Sequence, residues 1–179
     1  MIYAKILTLF FKLIIMASDH SMDIGVDFDF QELKNAVDQA KRESTTRYDL
    51  KDSNIEIELN DEDIKVTAQS NNQIESVFGI LIQKMISRKL SPKILNRQDI
   101  KDIGGMRVRQ EMTLIKALDQ DAAKKISKIV REEFPKSKPM IQGESVRVVS
   151  KSIDDLQAIM KVLNDTESLE VPLNYTNFK

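Results

Sequence analysis

The chain has 179 residues, 41% hydrophobic and 31% charged, with no cysteine and a formal net charge of −1. That composition belongs to a soluble globular protein, excludes disulfides and thiolate chemistry, and does not announce a nucleic-acid binder. The sum hides an asymmetry: residues 16–96 carry 10 Lys and Arg against 15 Asp and Glu, residues 97–179 carry 15 against 13, so an anionic ligand should prefer the second half.

The first sixteen residues, MIYAKILTLFFKLIIM, are apolar, but Lys12 interrupts them and they are shorter than a spanning helix needs. Three readings compete: a start placed upstream of the true one at Met16 or Met22, a secretory signal ending near Ala17 and Ser18, and an amphipathic surface helix. The first is favoured, because the repeat described below is complete without residues 1–21, which are therefore set aside as an N-terminal extension. From Met22 to Phe28 the alternation of Ile24, Val26 and Phe28 against Asp23, Gly25 and Asp27 predicts a half-buried strand. Phe30, Leu33, Val37 and Ala40 then recur at helical spacing, with Asp29 as cap. Residues 54–60 and 64–69 alternate on either side of Asp61-Glu62-Asp63, which predicts a hairpin. A helix to about Lys89 and a short edge strand at residues 92–95 complete the first half. Residues 97–105, ending in Gly104-Gly105, read as a linker. Beyond them the order recurs: a strand from Met106 to Leu114, a helix from Asp119 to Phe134, a hairpin across Gly143-Glu144, a helix from Ser152 to Asn164, and a last strand from Val171 to Asn177.

The recurrence extends to single residues. Residues 64–81, IKVTAQSNNQIESVFGIL, lie without a gap over residues 146–163, VRVVSKSIDDLQAIMKVL, so that Ile64, Val66, Ser70, Ile74, Val77 and Leu81 fall on Val146, Val148, Ser152, Leu156, Ile159 and Leu163. Ser70 and Ser152 suit helix N-caps, and Asp154 and Asp155 favour the positive end of a helix dipole. One unit used twice, with strand–helix–strand–strand–helix–strand order, predicts an α+β fold. It would be a tandem pair of ferredoxin-like units, residues 22–96 and 106–179, each an antiparallel sheet with two helices on one face and the other face open.

Alternation aims Arg107, Arg109, Arg147 and Lys151 at the open face of the second unit, where guanidinium groups could take phosphates as paired donors. The competing expectation is that these cations pair with Glu111 and with acidic side chains of another strand or domain. The first half presents Glu56, Glu58, Lys65, Thr67 and Gln69 on its open face and reads as scaffold. Tyr175 and Phe178 are the late aromatics that could stack on a base. Catalysis lacks its usual parts. The only histidine is His20, outside the repeat, which leaves no triad, His/Cys zinc site or His base within the fold, and the five glycines assemble no phosphate-binding loop. No metal site and no cofactor are expected.

Three segments, QEMTLIKALDQDAAKKISKIV, IQGESVRVVSKSIDDLQAIMKVL and the ending PLNYTNFK, resemble the YajQ family of small bacterial proteins from about Met22 to Lys179. RYDLKD at residues 47–52 resembles that family's RYDFKG, departing at Leu50 and Asp52, and Ile153 stands where the family usually has a basic residue. The resemblance implies a tandem ferredoxin-like pair with exchanged first strands, so that residues 22–28 would belong to the second sheet and Asp23 or Asp27 would lie near Arg107 or Arg147. It also implies nucleotide binding, with cyclic di-GMP and RNA as candidate ligands, and no catalytic activity. The expectation is therefore a cytoplasmic, non-enzymatic nucleotide-binding protein, with no membrane contact for the folded part. The alternative is a protein-interaction adaptor with no nucleotide ligand of its own.

Overall fold

The computed structural model describes residues 19–179; the expectations for Met1 to Met16 fall outside the described residues. Among the described residues nine strands and four α-helices follow in order: β1 (His20–Gly25), α1 (Phe30–Thr46), β2 (Glu56–Leu59), β3 (Asp63–Ala68), α2 (Asn71–Ser87), β4 (Leu95–Arg97), β5 (Lys101–Gly104), β6 (Arg107–Leu114), α3 (Gln120–Glu133), β7 (Lys138–Gln142), β8 (Ser145–Ser150), α4 (Ile153–Asp165) and β9 (Asn174–Thr176). The three caps read from the sequence close their helices: Asp29 accepts from the N–H groups of Gln31 and Glu32, Ser70 from Gln73 and Ser152 from Asp155. Asp119, read as the first residue of its helix, caps α3 instead, accepting from Ala122.

The chain forms two compact units, and neither is a continuous segment. One contains the described residues up to Gly25, Leu118–Leu169 and Leu173–Lys179; the other contains Val26–Ala117 and Glu170–Pro172. In the first, the sheet order is β7-β8-β1-β9; in the second it is β2-β3-β6-β4, with β5 also on β6. All pairings are antiparallel. This differs from a division at residues 22–96 and 106–179. β1 hydrogen-bonds to β8 rather than to β3, pairing Asp23 with Arg147, and β6 hydrogen-bonds to β3, pairing Arg109 with Thr67.

Two smaller differences are local. Residues 97–105 are not a free linker, because β4 ends at Arg97 and β5 pairs with β6. Residues 92–94 form a single 3-10 turn, begun by Pro92 and capped by the Ser91 hydroxyl, and the edge strand starts only at Leu95. β1 begins at His20, within the segment set aside as extension, and the Ser21 N–H and C=O exchange hydrogen bonds with Lys179 at 3.2 and 3.0 Å.

Each unit has its own core. Leu33, Val37, Ile64, Val66, Ile74, Val77, Leu81, Met85 and Met112 fill one between the sheet and helices α1 and α2. Met22, Ile24, Ile126, Val130, Val146, Val148 and Ile159 are the buried side chains of the other. The matched apolar positions of the repeat are buried in both copies, as alternation on strands and helical spacing require. Sheet residues of opposite parity point away from these cores, which leaves Arg107 and Arg109 on one open face and Arg147 on the other.

Candidate nucleotide-binding face

The three arginines expected to lie together with Lys151 occupy two different sheets, because β6 and β8 pair with different partners. On β8, the Arg147 guanidinium is held by the carboxylate directly opposite on β1. Nε donates to Asp23 Oδ1 at 2.6 Å and Nη2 to Oδ2 at 2.7 Å. Asn177 adds a third donor to Asp23 at 2.8 Å. The bond from Arg147 holds the Asp23 carboxyl below its ordinary value, and the same pairing raises Arg147. Arg147 thus joins two strands and the C-terminal segment. Lys151 is exposed just past the end of β8 and makes no ion pair among the described residues.

On β6, Arg107 is likewise engaged. Nη1 donates to Glu56 Oε1 at 2.9 Å and Nη2 to the Asn54 carbonyl at 2.7 Å, while Nε is buried without a partner. Arg109 differs. Its Nε donates to the Thr67 hydroxyl at 3.0 Å, and Thr67, although on the open side of β3, is buried. The guanidinium is thereby fixed in place, yet it has no carboxylate partner among the described residues. Lys101 on β5 lies directly opposite Arg109 in the antiparallel register, so the two cations are cross-strand neighbours. They line a shallow concavity of about 110 Å³ with Gln98, Asp99, Ile103 and Glu111. Two carboxylates on that rim offset the two cations, which makes the site weakly rather than strongly anion-attracting.

The same sheet face continues past Arg107 into a concavity of about 480 Å³ lined by Asn54, Gln69, Gly105, Met106 and Arg107. Lys101 and this second concavity were not singled out from sequence, because residues 97–105 read as a linker, and Met106 read as the first residue of a strand that starts at Arg107. The available signal was Gly104-Gly105 between two short alternating stretches, which marks a two-residue hairpin as readily as a linker end.

Of the two aromatics expected to stack on a base, Tyr175 does not. It sits on β9 opposite buried Ile24, and its hydroxyl donates toward the Met160 carbonyl at 3.3 Å and Asn164 Oδ1 at 3.0 Å on α4. Burial pushes its pKa up to about 12. Tyr175 therefore packs on the helix side of the sheet. Phe178 is 55% exposed. Among the described residues no group of three or more His, Cys, Asp or Glu is placed to hold a metal, and no helix is long and apolar enough to cross a membrane.

Two antiparallel sheets with helices on one face and polar, partly basic residues on the other define a small α+β protein of two ferredoxin-like units. The chain belongs to the YajQ-like family: the description "Nucleotide-binding protein YajQ-like" matches residues 20–179. A nucleotide-binding protein of Prochlorococcus marinus is 47% identical over 165 residues, covering 92% of this chain and all of the relative. Proteins given the same description in Roseiflexus castenholzii and Trichormus variabilis are 41% and 47% identical, again over 92% of this chain and their own full length.

Proposed function

We propose that this chain is a non-enzymatic nucleotide-binding protein whose phosphate-docking group is Arg109, assisted by Lys101, on the open face of the β2-β3-β6-β4 sheet. One observation carries the assignment: of the three arginines expected to take phosphate, Arg109 alone has no carboxylate partner among the described residues, and Thr67 fixes it through Nε. A guanidinium oriented in advance loses less side-chain entropy on binding, and its Nη groups can donate to two phosphate oxygens. The description of the relatives as nucleotide-binding proteins supports the ligand class. We also read the β1–β8 and β6–β3 pairings as an exchange of first strands between two units, which explains why the expected cations fall on separate faces. Lys151 remains exposed on the other unit and contributes at most a separate, weaker contact.

The test is a thermal-shift and calorimetric panel of mononucleotides, cyclic di-GMP and short RNA at low and moderate salt, run on the wild type and on Arg109→Ala, Lys101→Ala and Lys151→Ala. A ligand that prefers the native state raises the melting temperature. The expected result is a shift lost in Arg109→Ala, reduced in Lys101→Ala, kept in Lys151→Ala and weakened by salt. Full retention in Arg109→Ala would overturn the assignment, and no shift with any nucleotide would favour a protein-interaction adaptor.

A further inference from the structure

β7 is an outer strand of its sheet, and the bonding of the inner strands fixes which of its backbone groups face outward. Ser21 exchanges both of its backbone bonds with Lys179, so on β1 it is Met22 and Ile24 that turn toward β8. By the same alternation Val146 and Val148 turn back toward β1, while Ser145, Arg147 and Val149 bond to Gln142, Met140 and Lys138 on β7. Pro139 and Ile141 are left with their backbone groups pointing away from the sheet. A proline, which has no N–H, fits such a place. Ile141 presents an N–H and a C=O with no strand beside them among the described residues. Its side chain is 45% exposed and that of Met140 44% exposed.

An edge with half-exposed apolar side chains is a template for a further strand, and the repeat supplies the comparison. The gapless match of residues 64–81 to 146–163, carried back along the hairpins, sets β2 against β7 in one register: Glu56 lies opposite Thr67 as Lys138 lies opposite Val149. β2 is also an outer strand, yet it carries Glu58 where β7 has Met140, and its Leu59, matching Ile141, packs against the core of its own unit. Symmetry separates the two edges further. A two-fold axis through Ile141 sets Lys138 of one copy opposite Glu144 of another, whereas an axis through Leu59 sets Glu56 opposite Glu62. The first arrangement is attractive and occurs twice; the second brings like charges together. Lys138 and Glu144 are exposed and make no ion pair among the described residues. On the same axis the two Ile141 residues exchange N–H and C=O groups, and each Pro139 C=O stands opposite the Gly143 N–H of the other copy, so the missing proline donor leaves the remaining bonds intact.

We infer that the outer edge of β7 is a self-association surface, on which two copies of this chain join antiparallel about Ile141 with Lys138 of each facing Glu144 of the other. The occupant is a second copy because the edge complements itself in both backbone groups and charge. Contact along one short strand makes the dimer weak and concentration-dependent. Sedimentation velocity of the full chain tests it, on the wild type, Ile141→Lys, Lys138→Glu, Glu144→Lys and the double variant carrying both charge reversals. The wild type should pass from monomer to dimer between about 10 μM and about 1 mM. Ile141→Lys should raise the dissociation constant about tenfold or more. Each single reversal sets like charges opposite one another at both ends of the pairing and should weaken the dimer about fivefold, and the double reversal should restore it. The reversals alter only exposed side chains, so their melting temperatures should match the wild type and the test survives any loss of folding in Ile141→Lys. A monomer at every concentration overturns the proposal and leaves the edge to a strand of another protein. A dimer that a folded Ile141→Lys leaves untouched, or a double reversal as weak as the singles, overturns this edge and register as the interface.

Discussion

Arg147 and Asp23, 124 positions apart in the chain, face each other across β8 and β1 in a two-point ion pair at 2.6 and 2.7 Å. The Asp23 side chain is largely covered, and Asn177 donates to the same carboxylate. Removing the carboxylate leaves a guanidinium and an amide without their acceptor at the junction of β1, β8 and the C-terminal segment. Asp23→Asn should therefore lower the melting temperature by several degrees at neutral pH. The pH dependence has a fixed sign. The bond from Arg147 lowers the Asp23 pKa below its ordinary value of 3.8, so the folded state releases that proton more readily than the unfolded one. Its stabilising contribution is complete above about pH 4 and is lost as pH falls through the lowered native value. Thermal melts from pH 7 to pH 2 should show the difference between wild type and Asp23→Asn shrinking only at the acid end; a constant gap across that range would contradict the pairing.

The fates of Arg147 and Arg109 should be opposite under substitution. Arg147→Ala removes the partner of Asp23 and should cost stability while leaving nucleotide affinity unchanged. Arg109→Ala removes a group bonded, among the described residues, only to the Thr67 hydroxyl and should leave the melting temperature nearly unchanged in the absence of ligand. Charge-assisted hydrogen bonds contribute roughly 1.5–3 kcal/mol, so nucleotide binding should weaken about tenfold or more in Arg109→Ala. Calorimetry on both variants at low and moderate salt measures the crossing, and the salt dependence should be shallower in Arg109→Ala because one screened attraction is gone.

That crossing also marks where reading the sequence stops. Alternation told which way Arg107, Arg109 and Arg147 point, because side-chain direction on a strand is local and has a period of two. It could not tell which strand lies alongside, because β1 and β6 share the same apolar alternation and either would complete either sheet. Pairing is a non-local choice, and it decides whether a cation meets Asp23, Glu56 or a hydroxyl. The helices and their caps at Asp29, Ser70 and Ser152 were legible, since helical spacing and a capping side chain act within one turn. β5 was not, because every residue from Lys101 to Gly104 is exposed and leaves no burial alternation to read. Lys101 was missed with it, and so was the larger concavity of the open face, while Met106 was read as the start of the next strand rather than as a turn residue.

Tyr175 should titrate as a buried phenol. Burial raises its pKa to about 12, so the folded state holds the hydroxyl proton more tightly than the unfolded state, whose tyrosine ionises near 10. Stability from this group is complete below pH 10 and is lost as pH rises toward 12. Absorbance at the tyrosinate wavelength should show Tyr175 ionising only at the alkaline extreme or together with unfolding, and Tyr175→Phe should abolish that late step. The same substitution removes the donor to Met160 and Asn164 and should cost about 1 kcal/mol.

Two substitutions at Met106 separate backbone strain from side-chain contact. Met106→Gly removes both: the left-handed conformation no longer crowds a Cβ, worth roughly 1–2 kcal/mol, partly offset by the roughly 0.5–1 kcal/mol of extra chain entropy that glycine loses on folding. The melting temperature should stay level or rise slightly. Met106→Ala keeps the Cβ and hence the strain but loses the thioether, so its melting temperature should match the wild type. Differential scanning calorimetry on the two variants measures the split. If Met106→Ala rose in melting temperature as far as Met106→Gly, the left-handed Cβ at this turn would carry no strain.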